Sequence, residues 1–369
     1  MTLVRTCLSS YFFQMHDPRI LNPAIIVPIE TRERANVYLG QLTAGGSQAG
    51  KFFNTRINQK PIRSFSDSDL LAELLKTKIP QIFAESMVRG DGSDWNLVEL
   101  ALLGDISVGV PVEIYDNGHH TSPVVYDRPF QGTLVFTPGA LLRNGCGCTP
   151  ADWDEVVGSD STISPKGFFS LYERRLLQVL KWINARSQKT GSPAFITVPG
   201  LGCGQFAGPF CGTIGKMLES ALRRILTENA GDLPHIHALY FDPYIECKNH
   251  REKIHGIDFL VRPLRASGNA NKPQLCPPKA YEESSGEFDG CELYSIVAWD
   301  HVSWPGNDFF IGARCTDDGV KAAATDSMYR MTGVKGKYDK NSNKYQPPEE
   351  FDNWGDVIKQ SGKQFPVDF

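Results

Sequence analysis

Two apolar runs, separated by one amphipathic helix, constrain the fold more than any other feature of this sequence. Residues 194–198 are apolar except for Thr197, and residues 237–241 are apolar except for His237, as expected of strands buried on both faces of a sheet. Between them, apolar residues recur at helical spacing from Ile214 to Leu226. A strand, a helix and a second strand in this order are typical of parallel pairing. The sequence therefore predicts an α/β fold, with a mostly parallel sheet and helices on both faces.

Further elements extend this pattern along the chain. Apolar runs and turn residues predict strands at 24–29, 110–115, 124–126, 132–137 and 293–299, with Asn117–Gly118 as the turn of a hairpin. Helical spacing predicts helices at 66–75 (capped by Ser66), 169–183 and 319–331. Residues 265–290 are rich in glycine, proline and polar residues, so we interpret them as an exposed excursion or linker. The polar residues from Lys335 onward are expected to wrap the surface.

Composition excludes several classes of function. The net charge of −4 argues against a general binder of nucleic acid or of anionic membranes. No apolar run approaches the roughly 18 residues of a membrane span, and Ser9, Ser10 and Gln14 interrupt the N-terminus too early for a good signal peptide. The nine cysteines contain no CxxC pair, which favours reduced thiols over a zinc site or a disulfide framework. We expect a cytoplasmic protein, or one in the host cytosol if it is a secreted bacterial effector.

A glycine-rich loop joins the strand at 194–198 to the helix that begins near Thr213. Its residues are Pro199, Gly200, Leu201, Gly202, Cys203, Gly204, Gln205 and Phe206. Glycines let backbone N–H groups approach an anion closely, and a helix N-terminus behind the loop adds partial positive charge. The loop matches neither the Walker pattern nor the dinucleotide fingerprint. It predicts a cradle for the phosphates of a nucleotide-like ligand, the alternative being a glycine loop without a ligand.

Aspartates and aromatic residues cluster directly after the strand at 293–299. Asp300, Asp308, Asp317 and Asp318 fall where parallel strands deliver a binding site. Carboxylates among aromatic rings suit ribose hydroxyls, a water molecule or a guanidinium group. Each aspartate also has a structural alternative. Asp317 or Asp318 fits a helix cap, whereas Asp308 and Asp300 fit turn positions.

The glycine loop, over residues 198–208, resembles the second phosphate loop of macrodomains, three-layer α/β/α modules that bind ADP-ribose. The strand at 134–137, followed by residues 138–140, lies where macrodomains carry their first ligand loop. There the sequence departs from the family, because the usual Asn-Ala-Ala-Asn segment and triple glycine are absent. The usual catalytic asparagine is therefore not identifiable.

The C-terminal segment resembles a more particular group, the atypical MavL-type macrodomain hydrolases found among bacterial effectors. The resemblance lies in residues 299–300, 306–308 and 314–323. In that group, acidic residues with this spacing act in the hydrolysis of ADP-ribose from arginine. The matching positions are Asp300, Asp308 and Asp318. The resemblance implies guanidinium and water contacts for Asp308 and Asp318, and an orienting role for Asp300.

The resemblance implies an ADP-ribosylarginine hydrolase that binds ADP-ribose as its product and needs no metal or cofactor. The implied ligand contacts are the glycine-loop residues 199–206 together with Thr137, Asn307 and Phe309. ADP-ribosylated proteins, with ubiquitin-type proteins among them, are the implied partners. Two alternatives remain open: a non-catalytic ADP-ribose reader, and a hydrolase of another derivative such as a glutamate ester or O-acetyl-ADP-ribose.

The chain is predicted to consist of three parts. Residues 1–94 are predicted to be an N-terminal extension packed on the core, and residues 336–369 a C-terminal tail. Residues 95–335 hold the macrodomain-like, ADP-ribose-binding domain, a mixed α/β/α sheet with insertions. This is the part that the resemblance covers.

Overall fold

The computed structural model describes residues 23–58, 60–80 and 88–367. The strands are β1 Ala24–Ile26, β2 Ser107–Asp116, β3 Val125–Pro138, β4 Ala194–Pro199, β5 Ile236–Asp242, β6 His250–Ile254, β7 Ile257–Val261, β8 Glu292–Trp299, β9 Lys337–Asp339 and β10 Lys344–Gln346. The α-helices are α1 Ile29–Thr43, α2 Lys51–Ile57, α3 Asp67–Leu75, α4 Leu97–Gly104, α5 Trp153–Val156, α6 Pro165–Thr190, α7 Ile214–Asn229, α8 Asp317–Ala323, α9 Ser327–Thr332 and α10 Trp354–Ser361. None of these helices is long and apolar enough to cross a membrane.

Eight strands of the described residues form one mixed sheet, in the order β1-β2-β3-β8-β4-β5-β7-β6. The five central strands, from β3 to β7 in that order, are parallel, and the outer pairings are antiparallel. The carboxyl ends of β3, β8, β4 and β5 therefore lie along one edge of the sheet. This edge is where α/β proteins bind their ligands.

Helices and loops cover both faces of the sheet, because strand side chains alternate between the two faces. On β4, Ile196 packs in the apolar cluster that contains α6 and α7. Phe195 packs in the opposite cluster, together with α1, α3, α4 and the C-terminal helices. The chain thus has the three-layer α/β/α architecture that the sequence predicts.

The segment between β7 and β8 is only in part the exposed excursion or linker that the sequence predicts for residues 265–290. Leu275, Tyr281 and Phe288 are buried. The ring of Tyr281 stacks on that of Phe195, with 4.8 Å between the centroids. Aromatic side chains bury a large area each, so a segment with few apolar residues still covers one face of the sheet.

Of the other local predictions, one is confirmed and two are changed by the structure. The Ser66 cap is confirmed, because its side chain accepts a hydrogen bond from the backbone of Asp69. The strands expected at 124–126 and 132–137 are one continuous strand, β3, and the helix expected at 319–331 is broken into α8 and α9.

The C-terminal residues do not merely wrap the surface. Beyond Lys335 they form a β9–β10 hairpin and α10, and they bury Trp354 and Phe365 in the core. Residues from all three predicted segments share that core, from Val27 to Phe365. The boundaries at 94 and 335 stay a prediction, and residues 1–22 of the first segment lie outside the described residues.

A buried arginine on α6 connects the helical layer to the loop after β3. Arg175 is 1% exposed and donates to Asp152 Oδ1 at 2.7 Å, Asp105 Oδ1 at 3.1 Å and the carbonyl of Gly139 at 2.9 Å. Burial alone would raise the pKa of Asp152, but the adjacent Arg175 holds that pKa well below its usual range. The position of the loop after β3 therefore depends on this ion pair.

We predict that Arg175→Met destabilises the protein by about 3 kcal/mol, because it leaves a buried carboxylate without its main counter-charge. Urea denaturation followed by circular dichroism measures the change in the free energy of unfolding. Lys253→Ala is the matched control, since Lys253 is 60% exposed in its ion pair with Asp258. The control should cost less than about 1 kcal/mol. Equal losses in the two variants would contradict the prediction.

Candidate functional site

One large cavity, of about 730 Å³, opens at the carboxyl ends of β4, β5 and β8. Its walls come from the loops after β4 and β5, the β2–β3 loop, the segment after β7, and the start of α8. Its volume lies within the range of about 300–1,000 Å³ that is usual for small-molecule sites. The parallel strands thus place a nucleotide-sized cavity at the predicted edge of the sheet.

The glycine loop forms one wall of this cavity. Pro199, Gly200, Cys203 and Gly204 line the wall. Gly204 is exposed, and a Cβ added there would meet no atom within 4 Å, so its backbone is open to a ligand.

Gly202 serves the packing of the loop instead. Its φ is +72°, and an added Cβ would lie 2.8 Å from Tyr172 Oη and 3.0 Å from the backbone nitrogen of Ala140. Only glycine combines this conformation with so close an approach. The two neighbouring loops, after β3 and β4, therefore pack together through Gly202.

The N-terminus of α7 already holds a carboxylate. The backbone N–H of Gly215 donates to Glu246 Oε2 at 2.8 Å, and Glu246 lines the cavity. The sequence led us to expect this helix end behind the phosphates of a ligand. Instead, the favourable position for an anion at the helix end is occupied by the protein's own side chain. The backbone of Gly204 stays open to an approaching anion.

Asp300 and Asp308 are buried behind the cavity wall, at 2% and 3% exposure. Asp300 Oδ1 accepts from the backbone of Val302 at 2.8 Å and of Ser303 at 2.6 Å. Asp308 accepts from the backbone of Cys315 at 2.7 Å and from Thr316 Oγ1 at 2.7 Å. Both carboxylates hold the loop after β8 in shape.

Asp318 lies in the same buried cluster, at 1% exposure. Its Oδ1 accepts from the backbone of Gly306 at 2.7 Å, whereas Oδ2 has no hydrogen-bond partner among the described residues. Burial, followed by the nearby charge of Asp300, raises its pKa well above the usual range. The structure therefore brings the three predicted catalytic aspartates together, but none of them lines the cavity. Their contact with a substrate stays a prediction.

Only some of the other predicted ligand contacts line the cavity. The predicted contacts outside the cavity wall are Leu201, Gly202, Gln205, Phe206, Thr137, Asn307 and Phe309. Asn307 Nδ2 donates to Asp300 Oδ2 at 3.3 Å, and Phe309 is 1% exposed in the core. Their contacts with a ligand also stay predictions.

Among the polar side chains that line the cavity, four that were not predicted as ligand contacts are connected by hydrogen bonds: Asp242, Gln274, Asp317 and Lys321. Lys321 Nζ donates to Asp317 Oδ2 at 3.2 Å and to Gln274 Oε1 at 2.7 Å. Gln274 Nε2 donates to Asp242 Oδ2 at 3.3 Å. Burial lowers the pKa of Lys321 and raises that of Asp242. Hydrogen bonds thus connect these four side chains in a row across the ends of β8, β4 and β5.

Only some of these four residues could have been recognised from the sequence as part of a site. Asp242 ends a predicted buried strand, and that position alone could have marked it. Asp317 was considered with Asp318 as a helix cap. That alternative is wrong, because Thr316 caps α8 by accepting from the backbone of Gly319 at 3.0 Å. Gln274 lay in the supposed linker, and Lys321 in an ordinary helix.

We predict that Glu246→Gln binds ADP-ribose about five-fold more tightly, because it removes a negative charge from the cavity wall beside the ligand's phosphates. The amide oxygen can still accept from Gly215, so α7 keeps its cap. Isothermal titration calorimetry measures the affinity. Glu350→Gln, on the exposed surface, is the matched control and should bind as the wild type does. Unchanged or weaker binding by Glu246→Gln would argue against phosphates near this carboxylate.

The family described as macrodomain effector MavL matches residues 24–351, which contain the whole eight-stranded sheet and every residue that lines the cavity. The match extends on both sides of the region 95–335 that carries the resemblance in the sequence. None of the curated proteins matches the chain. Because the match spans most of its length, this protein belongs to the macrodomain effector MavL family, whose macrodomain indicates a function related to ADP-ribose.

Proposed function

We propose that this protein is a hydrolase that releases ADP-ribose from ADP-ribosylated arginine side chains and binds ADP-ribose as its product. One observation carries the proposal. A single cavity has the open backbone of Gly204 in one wall and the carboxylate of Asp317, at the start of α8, in another. Phosphates bind well to open glycine backbone, and a planar guanidinium group pairs well with carboxylates.

The proposed ADP-ribose extends along the wall of the cavity, from the glycine loop to the end of β8. Its diphosphate lies against Gly200 and Gly204, and its distal ribose faces Ala298 at the end of β8. Tyr244 is 46% exposed at the rim and offers a ring on which a base can stack. The arginine side chain then enters from solvent and meets the carboxylate of Asp317.

The chemistry of such a site follows that of glycosidases. The bond to be broken joins the anomeric carbon of the distal ribose to a guanidinium nitrogen. Its cleavage builds positive charge on the ribose ring, which nearby carboxylates stabilise. Water supplies the hydroxyl group of the released ADP-ribose.

Asp300, Asp308 and Asp318 contribute to this proposal through the loop that they hold. Asp308 fixes the backbone of Cys315 and Thr316, and these residues precede Asp317 at the cavity. A direct contact with guanidinium or water, as the resemblance implies, requires Asp308 to leave its present hydrogen bonds and the buried Asp318 to become accessible. In either case, their loss should disturb catalysis.

A non-catalytic ADP-ribose reader is the second candidate. It is favoured by the burial of Asp300, Asp308 and Asp318 outside the cavity wall. A reader binds ADP-ribose through the same glycine loop and leaves every linkage intact.

Incubation with arginine-, glutamate- and serine-linked ADP-ribosylated proteins, and with O-acetyl-ADP-ribose, separates the candidates. The arginine-linked set should include an ADP-ribosylated ubiquitin-type protein. We expect free ADP-ribose from the arginine-linked substrates alone, measured by chromatography. Tight binding of ADP-ribose without release from any substrate would establish a reader. Release only from glutamate-linked protein or O-acetyl-ADP-ribose would replace the arginine assignment.

We predict that Asp308→Ala and Asp318→Ala each lower turnover of the arginine-linked substrate by at least about ten-fold. The loss of Asp308 frees the backbone beside Asp317, and the loss of Asp318 frees that of Gly306. Steady-state release of ADP-ribose measures the effect, with circular dichroism to verify folding. Asp154→Ala, an exposed aspartate outside the cavity, is the control at wild-type rate. Full activity in both variants would leave the aspartates no part in catalysis.

The cellular setting of this activity is part of the proposal. Seven cysteines in the described part of the chain are free thiols, at positions 148, 203, 211, 247, 276, 291 and 315, which suits a reducing compartment. We place the protein in the cytoplasm, or in the host cytosol if it is a delivered effector, where ADP-ribosylated proteins are its partners.

A further inference from the structure

Asp317 presents one carboxylate oxygen to the cavity and has the other fixed. Oδ2 accepts from the backbone of Ala298 at 2.8 Å and from Lys321 Nζ at 3.2 Å. Oδ1 takes part in no hydrogen bond with the described residues, and the side chain is 25% exposed where it lines the cavity. This carboxylate is therefore oriented by the protein and open to a ligand.

Lys321 fixes that orientation from the buried side. Its side chain is 2% exposed, and Nζ donates to Asp317 Oδ2, to Gln274 Oε1 at 2.7 Å and to the carbonyl of Ile296 at 2.6 Å. An ammonium group has three N–H donors, so these three acceptors use all of them. Lys321 has no donor left for a ligand. Its role is to position the carboxylate.

The same chain of contacts continues to the neighbouring strand. Gln274 is held by Lys321 at its oxygen and donates to Asp242 Oδ2 from its nitrogen. Its backbone carbonyl accepts from Thr197 Oγ1 at 3.0 Å, which connects it to β4. The segment after β7 is thereby tied to the strand ends, and Asp317 cannot turn away from the cavity without breaking this chain.

We propose that Asp317 determines the specificity for arginine: Oδ1 accepts an N–H of the substrate's guanidinium group, and Lys321 positions it for this contact. The proposal rests on the hydrolase activity proposed above. Glutamate- and serine-linked substrates have no cation to place beside Asp317. Asp318, the next residue along the chain, is buried and cannot serve in its place.

The reaction balances with water alone. The bond between the anomeric carbon and the guanidinium nitrogen breaks, and its electron pair stays with the nitrogen. Water gives its hydroxyl group to the anomeric carbon and its proton to the nitrogen. The products are ADP-ribose and arginine. Asp317 holds the leaving group during this exchange and is itself unchanged.

Asp317→Asn tests the proposal. It keeps the size of the side chain but removes the charge that attracts the guanidinium group. Because a hydrogen bond to a charged group is among the stronger ones, kcat/KM for an arginine-linked ADP-ribosylated peptide should fall about 10- to 100-fold. The affinity for free ADP-ribose, which has no guanidinium group, should stay within about two-fold of the wild-type value. Asp154→Asn makes the same chemical change on the exposed surface and should alter neither quantity.

Lys321→Met and Lys321→Arg test the positioning role. Loss of the ammonium group lets Asp317 turn, so Lys321→Met should lower kcat/KM for the peptide while ADP-ribose still binds. Lys321→Arg retains the cation and should keep more of this activity than Lys321→Met. An equal loss of peptide turnover and of ADP-ribose affinity would show a merely structural role. Urea denaturation verifies that both variants are folded.

The outcomes separate this inference from the hydrolase proposal. A wild type that cleaves the peptide, together with a fully active Asp317→Asn, overturns the inference alone. A wild type that cleaves nothing overturns the hydrolase proposal. The equilibrium affinity for the uncleaved peptide then decides about Asp317. Binding at least about ten-fold weaker in Asp317→Asn supports the guanidinium contact, and equal binding overturns it.

Discussion

The parallel alignment of β3, β8, β4 and β5 is the constraint on which the rest of this structure depends. Backbone hydrogen bonds hold these strands in register, so their carboxyl ends open at one edge of the sheet. The loops after β4 and β5 and the segment after β7 begin at that edge, whereas the β2–β3 loop, at the amino end of β3, also lines the cavity. The glycine loop after β4 and the acidic segment after β8 are about a hundred residues apart in sequence, and the alignment of their strands alone makes them neighbours.

The acidic residues at this edge differ in whether their side chains are buried or face the cavity. Asp300, Asp308 and Asp318 are turned inward and satisfy backbone N–H groups of the loop after β8. Asp317 is turned outward, although it adjoins Asp318 in sequence. Successive helix residues point about 100° apart, so two adjacent aspartates at the start of α8 face different surroundings. One of these surroundings is a cavity and the other is the protein core.

Sequence reasoning was most successful where a pattern is local. The buried strands β4 and β5, the stripe of α7 and the Ser66 cap follow from hydrophobic spacing and hydrogen-bonding side chains over a few residues. It was least successful between β7 and β8, where Leu275, Tyr281 and Phe288 cover the sheet from within a polar segment. Such burial depends on contacts with distant strands, and the composition of the segment does not reveal these contacts.

The sequence by itself determined the α/β class, the order of the central strands and helices, and the glycine loop at a strand end, because each depends on residues close together in the chain. The resemblance to macrodomains rests on the same local motifs. Only the tertiary structure decided which carboxylates reach the cavity, that Glu246 occupies the end of α7, and that Lys321 connects Asp317 to Gln274. Burial and charge pairing between distant segments set these features, and neither can be read from spacing along the chain.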